Sequence, residues 1–203
     1  MKNDTAMFKI SYGLYILTAK NGSFSNGCIT NTLQQVTVSP NRVSITVSKS
    51  NYTHYMIKQS GEFNISVIDE SADFSLFKHF GFSSGRWENK FYRFNFIRAE
   101  NGIPYIPDHT NAYIACKVIN TIDLGTHTMF IADVIDGDVI SDKPSMTYDY
   151  YHKNVKPKPP KTERSDGKVR YICNVCGYVY EGELPEDFIC PICKHGAADF
   201  RRL

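Results

Sequence analysis

Four cysteines near the end of the chain have the spacing of a metal site. Cys173 and Cys176 form one C-x-x-C pair, and Cys190 and Cys193 form a second pair thirteen residues later. Each pair turns two sulfurs inward, and two facing pairs make a tetrahedral cage of four thiolates. Both iron and zinc accept such a cage, so the spacing predicts a metal without selecting one. Disulfides are not favoured, because the chain shows no secretion signal and reducing compartments keep thiols free.

Aromatic side chains surround the two pairs: Tyr171, Tyr178, Tyr180, Phe188 and Phe200. An aromatic core excludes water from thiolates and favours a redox-tuned centre. The segments 171–182 and 187–193 resemble the rubredoxins, in the shortened form found at the end of rubrerythrins. That resemblance implies one iron that carries one electron. The alternative is a zinc ribbon that only holds the segment together.

An acidic run lies between the two cysteine pairs and contains no Lys or Arg: Glu181, Glu183, Glu186 and Asp187. Beside a redox centre, such a run could steer a basic partner towards the metal. Four carboxylates on a loop are equally compatible with a solvated surface.

Composition and charge exclude several classes of protein. The chain has 203 residues, is 42% hydrophobic and carries a formal net charge of +2. Positive and negative side chains balance except in the stretch 154–167, so no segment has the basic excess of a nucleic-acid binder. No apolar run reaches the ~18 residues needed to cross a bilayer. We therefore expect a cytoplasmic protein with no membrane or nucleic-acid partner.

The stretch 154–167 contains three prolines, many charges and one large apolar residue. It cannot build a core and predicts an extended, semi-rigid linker. The linker separates a domain at 1–153 from a small domain at 168–203. The small domain is too short to be stabilised by apolar burial alone, so the predicted metal would stabilise it.

The first 153 residues predict a mainly β domain with helical insertions. Two helices are expected, one over 52–60 between the N-cap Asn51 and Gly61, and one over 71–80 ending at Gly81. Short β-branched and aromatic runs predict strands, which lie at 14–19, 42–47, 63–68, 91–98, 112–120, 127–134 and 138–140. Many short strands with a few helices favour a barrel or a sandwich.

Three polar loops in this domain could bind a phosphorylated ligand. The stretch 27–37 offers hydroxyls and backbone N–H groups. The stretch 48–54 follows a strand and opens a helix, so an anion could bind at the helix N-terminus. The stretch 82–86 combines a small-residue turn with Arg86, whose guanidinium can grip a phosphate through two hydrogen bonds.

The order of these motifs resembles the flavin reductase family, whose fold is the FMN-binding split barrel. The matching segments are 13–18, 26–32, 35–37, 49–54, 61–63, 85–86 and 125–130. The resemblance covers nearly all of 1–153 and implies a homodimer, with FMN near the subunit interface and NAD(P)H approaching the exposed flavin face.

The same resemblance implies roles for individual residues. Four residues would line the isoalloxazine and ribityl chain: Thr30, Asn31, Thr32 and Gln35. Six would hold the phosphate end: Ser48, Lys49, Asn51, Thr53, His54 and Arg86. Cys28 lies in the flavin loop as a small buried residue, and His127 stands where the family has a histidine near the nicotinamide. The tyrosines of 148–152 are expected to contact the flavin or NADH or, preferably, to pack in the dimer interface.

Together the two domains resemble flavin reductase–rubredoxin fusions. The hypothesis is an oxidoreductase in which NAD(P)H reduces FMN, FMN reduces a four-cysteine iron in single-electron steps, and the iron supplies an external acceptor. In such fusions that acceptor is typically a flavodiiron protein that reduces oxygen or nitric oxide. Two alternatives stay open. One is a free-flavin reductase with a zinc-bound docking tail, and the other is an electron carrier fed by a separate reductase.

Overall fold

A seven-stranded antiparallel sheet forms most of the first domain in the computed structural model, which describes residues 9–157, 169–174, 178–190 and 196–202. The strands of this domain are β1 Tyr15–Asn21, β2 Phe24–Thr30, β3 Gln34–Thr37, β4 Arg42–Ser48, β5 Glu62–Ile68, β6 Ile97–Arg98, β7 Pro104–Tyr105, β8 Thr110–Asp123 and β9 His127–Val139. The helices are α1 Tyr52–Ser60, α2 Phe74–Gly81 and α3 Tyr148–Tyr150. The large sheet has the order β2-β1-β5-β8-β9-β4-β3, and β6 pairs with β7 separately. With 45% strand and 17% helix, the expectation of a mainly β protein is confirmed.

Two apolar cores flank this sheet, as the alternation of side chains along its strands requires. In β4, the side chains of Val43, Ile45 and Val47 are buried and their neighbours are partly exposed. They join the first core, which also contains Phe63 and Phe130. The predicted one-sided strand at 42–47 is therefore confirmed.

The second core lies under α2 and contains Leu14, Ile16, Phe77 and Phe80. The structure does not form the strand expected over 91–98, since only Ile97–Arg98 is extended. Phe80 lies within ring contact of Phe91 and Phe94, with centroid distances of 6.0 and 5.0 Å. Phe91 and Phe94 thus attach this segment to the second core, and the chain between them forms turns. The aromatic side chains here pack in the core and do not mark a strand.

Helix α1 is confirmed at the expected residues. The Asn51 side chain accepts a hydrogen bond from the Thr53 N–H at 3.0 Å, and Gly61 ends the helix with φ of 68°. The positive φ explains the glycine, because other residues are strained in that conformation. Helix α2 begins at Phe74 and not at residue 71. Asp69 accepts a hydrogen bond from the Ser71 N–H at 2.7 Å, which fixes a turn there and delays the helix.

The polar stretch expected at 27–37 begins inside a strand, since its first four residues form the end of β2. Strand β2 pairs with β1 along its whole length, with Gly27 opposite Thr18. A Cβ at Gly27 would lie 2.8 Å from the Leu17 carbonyl oxygen, so this close approach requires glycine. The expected strands 127–134 and 138–140 are one strand, β9, which forms a long hairpin with β8.

The C-terminal module, which we define as the described residues from 169 onward, contains a three-stranded sheet. Its strands are β10 Arg170–Cys173, β11 Val179–Glu181 and β12 Phe200–Arg202, in the order β11-β10-β12. Residues 158–167 of the expected linker lie outside the described residues, as do Cys176 and Cys193. Asn154 and Val155 belong to a π-helical turn, Tyr151–Val155, so this end of the expected linker is helical. Among the described residues, no helix is long and apolar enough to cross a membrane.

Candidate functional site

Two of the three polar loops face each other across a cavity of about 220 Å³, which we call the inter-loop cavity. Its walls are Cys28, Ser50, Asn51, Tyr52, Phe80, Gly81, Phe82, Ser83, Ser84, Gly85 and Lys90. Hydroxyl groups therefore approach from the loop before α1 and from the loop after α2. Sequence reasoning expected both loops to bind phosphate, and the fold brings them together.

Hydrogen bonds hold both loops in place. The Ser48 and Ser50 hydroxyls are 2.9 Å apart, and Asn51 caps α1. The Asn26 side chain donates hydrogen bonds to the carbonyl oxygens of Gly85 and Glu88, at 3.1 and 2.7 Å. The loop after α2 is thus attached to β2 by side-chain hydrogen bonds within the protein.

Lys90 is the functional candidate that sequence reasoning missed. Its side chain is 2% exposed, and its ammonium donates hydrogen bonds to the carbonyl oxygens of Gly27 and Phe80, at 2.9 and 2.7 Å. Burial lowers the pKa of Lys90, while Cys28 and Glu88 act in the opposite direction. A buried ammonium bonded only to carbonyl oxygens attracts a phosphate. Nothing in the sequence distinguishes this lysine from a surface one.

Two other residues expected at the phosphate end, Lys49 and His54, are not on the wall of this cavity and contact the β8–β9 hairpin. Lys49 forms an ion pair with Asp123, with N–O distances of 2.7 and 2.8 Å, and this pair lowers the pKa of Asp123. The His54 Nε2 atom is 2.8 Å from the Thr128 hydroxyl. Burial, and then Lys58 and Lys49, lower the pKa of His54, so its ring is neutral at pH 7.

Arg86 and Thr53 lie beside the cavity. The Arg86 guanidinium lies 5.3 Å from the centroid of the Tyr52 ring, a cation–π contact on the exposed surface. Thr53 is buried and hydrogen bonds to Cys28. Burial raises the pKa of the Cys28 thiol, and it raises that of Cys116 to about 12, so both thiols are protonated and unreactive.

The residues expected at the isoalloxazine follow β2. The hydroxyls of Thr30 and Thr32 are 3.1 Å apart, and Thr32 also donates to the Thr46 carbonyl oxygen at 2.7 Å. Asn31 lies between them, partly exposed. Gln35 lies on the wall of a second, larger cavity of about 610 Å³ that Tyr15, Leu33 and Tyr113 also line.

His127 is the first residue of β9 and pairs with Ser48 of β4. Its Nδ1 atom is 2.9 Å from the Thr126 hydroxyl, and the Thr126 carbonyl oxygen accepts a hydrogen bond from the Lys49 N–H at 3.0 Å. The tip of the β8–β9 hairpin is therefore attached to the loop before α1, which places His127 beside that loop.

Tyr148, Tyr151 and His152 line a third cavity of about 210 Å³, together with Phe82 and Lys156. Tyr151 is buried, and its ring centroid is 4.4 Å from that of Phe77. The tyrosines before the linker therefore pack partly inside the second core. Their contact with a second subunit stays a prediction.

In the C-terminal module, Cys173 and Cys190 are 1% and 0% exposed and belong to one apolar cluster. Tyr178, Phe200 and Phe82 pack against this cluster. The aromatic core expected from the sequence is present, with Phe188 lying 4.5 Å from Tyr180 and 5.3 Å from Phe200 between ring centroids. Two buried thiols in a dry aromatic setting fit a thiophilic metal such as iron or zinc.

The four carboxylate residues of the acidic run are exposed. Glu181 pairs with Arg170 at 3.1 Å, and Glu183 accepts a hydrogen bond from the Tyr171 hydroxyl at 3.3 Å. Glu186 and Asp187 follow on the same stretch, so the surface next to the cysteine cluster is negative.

Comparison with known proteins matches two parts of the chain to two families. Residues 7–158 match the family described as flavin reductase like domain, and residues 171–201 match the rubrerythrin, rubredoxin-like domain. A high molecular weight rubredoxin from Moorella thermoacetica is 37% identical in an alignment 225 positions long, which covers 98% of each chain. A ferric-chelate reductase (NAD(P)H) from Archaeoglobus fulgidus is 36% identical, over 77% of this chain and 93% of that protein.

Solved structures agree on the fold. An NADH:FAD oxidoreductase from Streptomyces globisporus superposes with a TM-score of 0.65 at 22% identity, covering 71% of this chain and 85% of that one. A flavin reductase solved with NADP⁺ gives a TM-score of 0.62 at 25% identity, covering 71% and 90%. The first domain thus has the split-barrel fold that the sequence predicts. The chain belongs to the flavin reductase-like family of oxidoreductases and carries a rubredoxin-like domain at its C-terminal end.

Proposed function

We propose that this protein passes electrons from NAD(P)H through FMN to a single iron, and from the iron to an external acceptor protein. The iron would be held by Cys173, Cys176, Cys190 and Cys193. FMN supplies the conversion between two-electron and one-electron chemistry when bound, and the iron carries one electron at a time. Each NAD(P)H supplies two electrons and would therefore reduce the iron twice. The one proton released in the overall reaction would go to solvent.

The observation that carries this proposal is the inter-loop cavity. Its walls combine serine hydroxyls, a helix N-terminus and the buried ammonium of Lys90. These are the groups that recognise a phosphate ester. Ser50, Asn51, Ser84 and Lys90 would contact the FMN phosphate, and Lys49, His54 and Arg86 would make the surroundings positive or polar. Ser48 and Thr53 would hold the loop through their hydrogen bonds.

The size of the cavity supports a dimer. Its volume of about 220 Å³ is below the ~300–1,000 Å³ of pockets that enclose whole ligands. It accommodates the phosphate end, so the isoalloxazine would lie outside it, towards Thr30–Thr32 and Gln35. A second subunit would complete that part of the site.

Exposed apolar side chains support the same assembly. They lie on or next to β3, β8 and β9: Val36, Val38, Ile119, Ile122, Leu124, Ile135 and Val139. Exposed apolar side chains on nearby strands are typical of an interface. We propose that these side chains contact a second copy of the chain, as the family resemblance implies.

His127 would contact the nicotinamide of NAD(P)H on the open face of the flavin. Its hydrogen bond to the Thr126 hydroxyl orients the ring, and the hairpin tip that carries it is fixed through Lys49. In this role His127 positions the nucleotide and need not transfer a proton.

The acceptor would be a redox protein such as a flavodiiron protein that reduces oxygen or nitric oxide. The exposed carboxylates of Glu183, Glu186 and Asp187 lie beside the cysteine cluster and would attract a basic surface on that partner. Thiolate ligands need a reducing compartment, which supports a cytoplasmic location for this activity.

An anaerobic visible spectrum tests the proposal. Purified protein is recorded before and after NADH, and then NADPH. Flavin bands and sulfur-to-iron charge-transfer bands that both bleach support the internal route. Flavin absorption without iron bands indicates a free-flavin reductase with a zinc-bound tail. Flavin and iron bands that do not bleach indicate a carrier fed by another reductase. Either of these results contradicts the proposed route.

A further inference from the structure

One side chain of the first domain contacts the buried cysteine pair. Phe82 follows α2 and packs against the cluster of Cys173 and Cys190, together with Tyr178 and Phe200 of the module. On its own side, the Phe82 ring is held by Phe74, with 5.7 Å between ring centroids. An aromatic ring shared in this way makes one continuous apolar contact between the two domains.

The same residue lines the inter-loop cavity. Phe82 therefore belongs both to the wall of the phosphate-end cavity and to the cysteine cluster. Among the residues that the structure describes on the cavity wall, it is the one assigned to the cysteine cluster. Phe82 thus links the site proposed for the flavin to the site proposed for the metal.

A polar contact lies close to this apolar one. The Lys156 ammonium donates a hydrogen bond to the Asn174 carbonyl oxygen at 3.0 Å, directly after Cys173 in the sequence. Lys156 and Phe82 both line the third cavity, with Tyr148 and His152. Two contacts from separate parts of the first domain therefore fix the position of β10.

We propose that Phe82 is the positioning residue that docks the cysteine module on the first domain, with its metal facing the flavin phosphate cavity. The expected consequence of docking, electron transfer from the flavin to the metal within one chain, rests on the proposed function. The module that docks beside the flavin site would belong to the same chain and be held by Phe82 and Lys156.

The module must both receive and deliver electrons, so its docking must be reversible. In the part of the chain that the structure describes, Phe82 and Lys156 connect it to the first domain. The linker keeps the module at a high effective concentration, so a weak contact suffices to dock it. Release then exposes the metal to the external acceptor.

The test compares Phe82→Ala with the matched control Phe96→Ala. Phe96 packs on the second core and contacts Phe91, but it belongs neither to the wall of the inter-loop cavity nor to the cysteine cluster. A third variant, Phe82→Leu, keeps an apolar side chain at the contact. Each full-length protein is loaded with FMN and with either iron or zinc.

The first measurement is independent of activity. Paramagnetic iron broadens NMR signals of nearby amides, whereas zinc does not. We expect iron-dependent broadening of the Ser83, Ser84 and Gly85 amides in the unmodified protein and in Phe96→Ala. Phe82→Ala should lose this broadening, and Phe82→Leu should restore part of it. Equal broadening in all proteins, or none in the unmodified one, overturns the docking.

The second measurement separates the inference from the proposed function. After mixing with NADH, the rate of iron bleaching is divided by the rate of flavin bleaching in each variant, which corrects for any effect on FMN binding. This ratio should fall by about tenfold or more in Phe82→Ala alone, because docking supplies the effective concentration. If unmodified protein bleaches neither chromophore, the proposed function fails while the NMR comparison still decides the docking. If both bleach and Phe82→Ala keeps the normal ratio, the docking inference fails and the proposed function stands.

Discussion

The inter-loop cavity and the cysteine cluster are built in opposite ways. The cavity takes its walls from residues as far apart as Cys28 and Lys90, and the large sheet brings them together. The cysteine cluster is local, since Cys173 and Cys190 belong to a module with three short strands. The first site is therefore a product of the whole fold, whereas the second depends on a small segment and its metal.

This difference predicts separate responses to the loss of each ligand. Two apolar cores stabilise the first domain, so its cavity persists without flavin. The described core of the module is limited to the two cysteines and a few aromatic rings. A segment of that size relies on metal binding for its folding free energy.

Loss of one cysteine ligand should have the largest effect. We expect Cys173→Ser to abolish the iron bands and unfold the module, because a structural metal contributes ~10–16 kcal/mol in small zinc domains. Flavin content should stay within about a fifth of the unmodified value. Iron and flavin per chain are measured after purification. The control Cys116→Ala removes a buried thiol from the first core and should keep the iron. Retention of iron in Cys173→Ser would contradict the ligand assignment.

Truncation of a buried side chain in the first core should destabilise the first domain and leave the metal site of the module intact. Phe63 is fully buried, so Phe63→Ala should lower the free energy of unfolding of the first domain by ~3–5 kcal/mol. Urea unfolding followed by far-UV circular dichroism gives this value, while the iron bands report the module. Tyr92→Ala, at a residue 68% exposed, should change the free energy by less than ~0.5 kcal/mol. Iron bands that disappear together with the first domain would show that the two regions unfold as one unit.

The same contrast explains how much could be predicted from the sequence. The cysteine pairs and their aromatic neighbours act over short distances, so spacing and residue type predict the module. Helix α1 was predictable because Asn51 and Gly61 are local signals at its two ends. Similarly, the alternation along β4 predicts which of its side chains are buried.

Features that depend on tertiary packing were not predictable. Strand β2 forms because β1 offers a partner at every residue, although Asn26 and Gly27 are poor strand formers. The aromatic run at 91–96 is turned inward by Phe80 instead of pairing as a strand. Lys90 acquires its importance only when the fold buries its ammonium beneath the inter-loop cavity.

Removal of the Lys90 charge should weaken flavin binding without affecting the metal. A hydrogen bond to a charged group contributes ~1.5–3 kcal/mol, so Lys90→Met should raise the Kd for FMN by about tenfold to a hundredfold. Titration calorimetry on folded protein measures the affinity. Lys78→Met, on the exposed face of α2, is the control and should bind FMN normally. An unchanged Kd in Lys90→Met would remove Lys90 from the phosphate site.

The pH dependence of FMN binding gives a sharper test of the same residue. Burial lowers the pKa of Lys90 in the free protein, and a bound phosphate would raise it. Affinity should therefore fall as the pH rises through the lowered pKa, because the ammonium must then be recharged on binding. The decrease should be present in the unmodified protein and Lys78→Met and absent in Lys90→Met.

The smallest expected effect separates the two roles of Asn51, which caps α1 and lines the inter-loop cavity. Asn51→Ala should lower the free energy of unfolding by ~1 kcal/mol through loss of the cap. Asp73→Ala removes the corresponding cap of α2, away from that cavity, and should give a similar loss with normal FMN affinity.

Asn51→Asp keeps a capping side chain but adds negative charge beside the phosphate, so it should weaken FMN binding while the free energy of unfolding stays unchanged. Urea unfolding and calorimetry on the three variants distinguish these outcomes. If Asn51→Asp bound FMN normally, the phosphate would lie away from the α1 N-terminus, and the assignment of the inter-loop cavity would be wrong.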